Sequence, residues 1–136
     1  MPRIYRRHFR VRHYELDGRG CVNHAVYLNY FQQAAIEAST DAGYGPERYR
    51  AMGVVWLVRK TTLAYEHPAA YGDTLLAETW VSEFRRVQSH REYRLTKTGN
   101  GQTVACARMN WAFLDRRTMT PARIPPEMTA LFAPNG

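Results

Sequence analysis

The sequence predicts an α+β domain in which an antiparallel sheet wraps around one long helix. Apolar residues recur at helical spacing in a single long segment, about residues 25–42. After Gly53 the apolar pattern takes the period of strands and keeps it through four consecutive segments. A helix that is apolar over most of its circumference buries itself only if the sheet covers it. The chain of 136 residues suits a single domain, residues 1–136.

The first element is an expected strand over residues 4–14. Its side chains alternate, with Phe9, Val11 and His13 on one side and arginines on the other. The run 17–20, Asp-Gly-Arg-Gly, ends it as a turn, because glycine adopts the positive φ angles that such turns require.

The expected long helix follows. We interpret Asn23 as its N-cap, and Gly43 and the Gly45-Pro46 pair as its end. A short helical turn is expected over residues 46–52. The helix's apolar positions lie three and four residues apart: Tyr27, Tyr30, Phe31, Ala34, Ala38 and Ala42.

Four strands are expected next, over residues 54–65, 74–84, 87–97 and 103–114, and we interpret them as a meander. Residues 67–73 form a turn, and Thr-Gly-Asn-Gly at 98–101 is typical of a hairpin between the last two strands. Residues 127–132 are expected to close the domain with a helical turn.

The net charge of +7 predicts an attraction to anions, whether nucleic acid, an acidic protein or a phosphorylated cofactor. The basic residues are scattered, and the sequence shows no zinc-finger, RNP or KH signature. We therefore expect no nucleic-acid partner. A solvated basic surface without a partner is the plainer alternative.

Other features bound the class of protein. No apolar run approaches the roughly 18 residues that span a bilayer, so we expect no membrane association. Two cysteines, Cys21 and Cys106, are too few for a disulfide framework. Five scattered histidines offer no metal spacing, and no glycine-rich nucleotide loop is present. The expectation is a cytoplasmic protein with reduced cysteines and no cofactor.

The segment 14–27 contains the candidate catalytic residues. It places the carboxylate of Asp17 in a glycine-flanked turn just before the helix. A carboxylate facing free backbone N–H groups can attack an acyl group, since one part supplies a nucleophile or base and the other holds the oxyanion. Asp17 as a simple turn residue is the alternative, and the residues alone favour it. A thiol nucleophile, Cys21 with His24, is a weaker one, because cysteine commonly packs as a small apolar side chain.

The same residues resemble a known family. Asp17, Gly20, the pair Cys21-Val22, Asn23, His24 and Tyr27 resemble the active-site segment of hotdog-fold thioesterases of the 4-hydroxybenzoyl-CoA thioesterase type. A more specific likeness is to plant-type acyl-acyl-carrier-protein thioesterases, whose run V-R-x-Y-E-L-D-x-x-G-x-V-N-x-A-V-Y-x-N-Y is similar to residues 11–30. Their R-I-P is matched at 123–125. The resemblance covers roughly residues 9–133.

The resemblance implies a hotdog fold and hydrolysis of acyl-CoA or acyl-carrier-protein thioesters by a homodimer or homotetramer, with active sites at the dimer interface. It implies Asp17 as nucleophile or general base and the backbone N–H of His24 as the oxyanion contact. The imidazole of His24 is a further catalytic candidate or a structural group. Two residues depart from the family pattern: Glu15 stands where many members of the bacterial branch have Asp, and Cys21 replaces a usual Val.

Four residues are candidates for substrate binding. Asn23 contacts substrate or caps the helix, and Tyr27 lines an acyl pocket or packs in the core. Arg86 and Ser89 resemble the family's Lys/Arg-x-x-Ser run, where a strand passes the pantetheine arm and basic groups meet phosphates. Arg91 is a further candidate for the phosphates, but for Arg86 and Arg91 alike the favoured interpretation is a solvated surface cation. Glu37, on the helix, is interpreted as structural or solvated.

Two other functions stay open. A hydratase or dehydratase of the same fold would need a histidine base in another register, which the sequence does not show. A non-catalytic acyl-CoA-binding module is the second alternative.

Overall fold

The structure is a computed structural model and describes residues 3–132. It contains five strands, three α-helices and one 3-10 turn at His13–Glu15. The strands are β1 (Tyr5–Arg10), β2 (Val54–Tyr65), β3 (Thr74–Phe84), β4 (Gln88–Lys97) and β5 (Thr103–Asp115). The helices are α1 (Val26–Asp41), α2 (Pro46–Met52) and α3 (Pro126–Phe132).

The strands form one antiparallel sheet in the order β1-β3-β4-β5-β2. The expected four-strand meander is therefore wrong in one respect. Strands β3, β4 and β5 do form a meander, but β2 pairs with β5 at the far edge instead of with β3. Residues 66–73 carry the chain from β2 across to the other side of the sheet, where Val11 N–H donates to Asp73 O at 3.0 Å.

Helix α1 packs on the inner face of the sheet, and its apolar positions form the centre of the main core. Phe31 and Ala34 are fully buried, and the Phe31 ring lies 5.2 Å from that of Tyr93 on β4. A second cluster, at the other end of the sheet, includes Phe113, Met128 and Phe132. The α+β arrangement around one long helix is confirmed.

Two element ends differ from expectation by more than one residue. Strand β1 ends at Arg10, because the Arg12 N–H donates to the Glu15 side chain at 2.8 Å and the chain turns into the 3-10 segment. Helix α1 has Ala25, not Asn23, as its N-cap. The Asn23 Oδ1 accepts the Ala25 N–H at 3.0 Å, so the side chain orders the turn before the helix.

The expected hairpin between β4 and β5 is confirmed. Gly101 has φ +72°, and its N–H donates to Lys97 O at 2.8 Å. Within residues 3–132, no helix is long and apolar enough to cross a membrane.

Candidate active site

Asp17 lies at the tip of a short hairpin that precedes α1. Leu16 and Val22 form an antiparallel bridge, and the Asp17 N–H donates to Cys21 O at 2.7 Å. Gly20 closes the turn with φ +84°, a conformation that other residues rarely adopt. The hairpin is fixed to the body of the domain because Val22 N–H donates to Ala69 O at 2.8 Å.

The Asp17 carboxylate is bound within its own turn. Its Oδ1 accepts the backbone N–H groups of Arg19 at 2.8 Å and Cys21 at 3.2 Å. Its Oδ2 accepts from the Arg19 guanidinium at 3.0 Å, and 23% of the side chain is exposed. The Arg19 N–H, followed by its guanidinium, holds the pKa of Asp17 below its usual range. Asp17 is therefore an accessible carboxylate that stays ionised at neutral pH.

Replacing Arg19 by alanine should raise the pKa of Asp17 part of the way to its ordinary value. The backbone N–H of residue 19 remains, but the guanidinium that stabilises the ionised form is lost. A ¹³C NMR titration of the side-chain carboxyl measures the shift directly. If ionised Asp17 is required for activity, the acid limb of kcat/KM moves to higher pH in the same direction.

Arg117→Ala is the matched control. Arg117 stands two residues after Asp115, whose Oδ1 accepts the Arg117 N–H at 2.9 Å in a similar turn. This variant should leave the titration of Asp17 unchanged. An unchanged Asp17 pKa in Arg19→Ala would show that the guanidinium does not stabilise the carboxylate in solution.

The start of α1 offers a free backbone donor. Outside the helices and strands of residues 3–132, no backbone hydrogen bond uses the His24 N–H. The His24 carbonyl accepts from Tyr65 Oη at 3.2 Å, and the imidazole lies edge-on to the Tyr65 ring at 6.3 Å. The N–H before a helix is assisted by the helix dipole. His24 can thus contribute a main-chain donor, as the resemblance implies.

Glu15, two residues before Asp17, is a buried carboxylate. It is 7% exposed, and its Oε1 accepts from Tyr30 Oη at 2.7 Å and from Arg12 N–H. Burial, followed by the bond to Glu15, raises the pKa of Tyr30, so that the hydroxyl remains a donor. The Glu15 carbonyl accepts Asn23 N–H at 2.8 Å. This residue therefore joins the two arms of the hairpin to α1.

Two helix residues have local roles. Tyr27 is buried in the main core, and its hydroxyl accepts the Ala69 N–H at 3.1 Å. Glu37 accepts from Tyr5 Oη at 3.0 Å and pairs with Arg7, as expected for a structural carboxylate.

A cavity of about 310 Å³ lies further along α1, between that helix, α2 and the sheet. Ser89 and Arg91, adjacent inward-facing residues of β4, both line it, as does Trp56 of β2. Arg91 is only 8% exposed, so its interpretation as a solvated cation is wrong. The sequence signal for this burial is the spacing along β4, which places Arg91 on the same face of the strand as the buried Tyr93 and Leu95.

The predicted site residues fall into three places. Asp17, Asn23 and His24 share the hairpin and the start of α1. Ser89 lines the cavity, and none of the hairpin residues does. Arg86 lies outside the cavity, at a surface cleft. No group of three potential metal ligands occurs among residues 3–132.

The fold is that of the hotdog thioesterases. A 1,4-dihydroxy-2-naphthoyl-CoA thioesterase from Synechocystis matches 95% of this chain and 95% of its own, with a TM-score of 0.87 at 15% identity. The chain belongs to the acyl-ACP thioesterase family, since residues 2–132 match the family model described as "Acyl-ACP thioesterase N-terminal domain".

Plant relatives agree with this family. A chloroplastic palmitoyl-acyl carrier protein thioesterase from Cuphea hookeriana is 24% identical in an alignment of 132 positions that covers 92% of this chain and 32% of the relative. A chloroplastic acyl-acyl carrier protein thioesterase from Arabidopsis thaliana is 26% identical over 132 residues, 97% of this chain and 69% of the relative. The chain spans about a third of the length of several of the curated relatives it matches.

Proposed function

We propose that this protein is an acyl thioesterase that hydrolyses acyl-CoA or acyl-carrier-protein thioesters. The observation that carries the proposal is the hairpin that presents the Asp17 carboxylate just before α1, in a chain of the acyl-ACP thioesterase family. At the entrance of α1, the His24 N–H has no backbone partner among residues 3–132. A carboxylate and a backbone donor are the two parts that acyl transfer needs.

Two routes lead to the same products. In one, Asp17 attacks the thioester carbonyl, the C–S bond breaks, and water then hydrolyses the acyl anhydride and restores the carboxylate. In the other, Asp17 takes a proton from water, whose oxygen attacks the carbonyl as the C–S bond breaks. In both routes the acid is released and the departing thiolate takes up a proton. In the second route Asp17 supplies that proton and is restored as a carboxylate. His24 N–H donates to the oxyanion in the tetrahedral intermediate.

The protein has a surface cleft that suits the carrier end of the substrate. Arg85, Arg86 and Arg123 border a surface cleft of about 440 Å³ next to the end of β3. Arg85 is partly neutralised by Glu83, at 2.9 Å. Both candidate carriers are anionic: CoA is phosphorylated and acyl carrier proteins are acidic. The cleft and the net charge of +7 favour either carrier.

We also propose that the active enzyme is a homodimer formed through β2. This edge strand is 12 residues long, and among residues 3–132 it pairs on one side only, with β5. It carries the exposed apolar side chains of Leu57, Val58 and Tyr65. A long apolar edge presents unpaired backbone groups, which a second copy can satisfy. Tyr65 contacts His24, so the same edge reaches the helix entrance.

Leu57→Asp should therefore shift the protein from dimer to monomer and lower its thioesterase activity. Leu57 is 47% exposed on β2, and the substitution places a charge in the apolar edge that the second copy must cover. Sedimentation velocity measures the mass against the 15.8 kDa of one chain. Leu131→Asp, at a 38%-exposed position of α3, is the control and should stay dimeric. A wild-type monomer with full activity would contradict the dimer.

The proposed activity is tested by thiol release from panels of acyl-CoA and acyl-carrier-protein thioesters. Activity on either panel that depends on Asp17 supports the proposal. Binding of acyl-CoA without thiol release would favour the non-catalytic module. Addition or loss of water along the acyl chain, with the thioester intact, would favour the hydratase or dehydratase.

A further inference from the structure

The cavity along α1 contains a buried cation that the proposed chemistry does not use. The Arg91 guanidinium makes one hydrogen bond among residues 3–132, to Thr79 Oγ1 at 3.2 Å, and has no carboxylate partner there. The Thr79 hydroxyl donates its own proton to Glu92 O at 2.9 Å. The ring of Phe132 lies 5.6 Å from the guanidinium carbon. Burial disfavours the charged form and lowers the pKa of Arg91. Such a cation is costly unless an anion joins it.

The other charges around the cavity have the same sign. Arg50 and Arg116 also line it, and within the described part of the chain no aspartate or glutamate does. Beside Arg91, the buried Ser89 hydroxyl has no hydrogen-bond partner among residues 3–132 and also lines the cavity. A guanidinium and a hydroxyl two residues apart on one face of a strand can bind the two oxygens of a carboxylate.

The remaining walls are mostly apolar and include Trp56, Val81, Phe84 and Trp111. Gln32 and Ser39 add polar groups to the lining. The volume of about 310 Å³ is close to the lower end of the range for small-molecule sites, about 300–1,000 Å³. The cavity therefore suits a short hydrocarbon segment that ends in an anionic group.

We propose that this cavity holds the acyl group of the substrate and that Arg91 binds a carboxylate at its distal end. The preferred substrates are then half-thioesters of short dicarboxylic acids. The assignment rests on the proposed thioesterase function. Arg91 acts as a specificity-determining residue, distant in sequence from the hairpin that carries Asp17. A neutral acyl chain of the same length leaves the buried guanidinium and Ser89 unpaired, and so it binds less well.

The test compares adipoyl-CoA with hexanoyl-CoA, which have six acyl carbons each and differ in the terminal carboxylate. Wild-type kcat/KM should favour adipoyl-CoA by about ten- to hundredfold, the range expected for hydrogen bonds to a charged group. Arg91→Met, which keeps a long unbranched side chain, should remove or reverse this preference. Arg94→Met is the matched control. Arg94 lies on the same strand but on the opposite face, paired with Glu78 at 3.1 Å, so this variant should keep the preference.

A binding measurement separates this proposal from the thioesterase proposal. Isothermal calorimetry with adipate should show binding to the wild type and none to Arg91→Met, with hexanamide, a six-carbon chain without a carboxylate, binding the wild type more weakly. If neither thioester is hydrolysed but adipate binding depends on Arg91, the anion site stands and the hydrolytic function fails. Equal hydrolysis of both thioesters, with no adipate binding by the wild type, overturns the anion site and leaves the hydrolytic function standing. The wild-type comparisons decide this even if Arg91→Met does not fold.

Discussion

Asp17→Asn is expected to lower kcat for thioester hydrolysis by about 10²- to 10⁴-fold, the range typical for loss of a general base. The amide neither attacks the carbonyl carbon nor takes a proton from water. The fold should persist, because the asparagine Oδ1 can still accept the N–H groups of Arg19 and Cys21. Thiol release measured under saturating substrate gives kcat, and urea unfolding shows whether stability has changed.

Asp115→Asn is the matched control for this variant. The Asp115 Oδ1 also accepts two backbone N–H groups in a turn, from Arg117 at 2.9 Å and Thr118 at 3.0 Å. These bonds lower the pKa of Asp115, as the corresponding bonds do at Asp17. The two substitutions remove the same charge from similar turns, but only the one at Asp17 should affect kcat. Full activity of Asp17→Asn would refute the catalytic role and leave Asp17 as a turn residue.

Elements bounded by strong local signals were predictable from the sequence. Strand β2 begins and ends where expected, because Gly53 adopts φ +73° before it and the His67-Pro68 pair follows it. The position of β2 in the sheet was not predictable in this way. Its apolar pattern suits a neighbouring β3 or β5 equally well, and the choice depends on contacts between residues far apart in the chain.

In the candidate site, too, the locally encoded features were predictable and those that depend on long-range contacts were not. The turn at Asp17 is encoded locally by its two glycines, and the free His24 N–H follows from the helix start. Burial of Arg91 is not local, since it requires α1, α2 and α3 to cover the inner face of β4. Arginine is rarely buried without a partner, and composition therefore favoured a surface position.

Glu15 links the hairpin to α1 through its buried side chain. It is buried, and its side chain satisfies both the Tyr30 hydroxyl and the Arg12 N–H. Tyr30 is itself only 2% exposed, so its hydroxyl has little access to water as a replacement partner. The catalytic candidate Asp17 follows two residues later, with only Leu16 between them.

Glu15→Ala is therefore expected to lower the free energy of unfolding by about 2–6 kcal/mol, since each of two groups left without an acceptor costs about 1–3 kcal/mol. Urea denaturation followed by circular dichroism measures the loss. Glu15→Gln is the conservative control, because its Oε1 can still accept both hydrogen bonds, and most of the stability should return. Both variants keep Asp17, so the thioesterase rate reports whether the hairpin remains in position: we expect Glu15→Gln to retain more activity than Glu15→Ala. Equal stability of Glu15→Ala and the wild type would mean that water reaches Tyr30 and that the buried carboxylate does not hold the hairpin against α1.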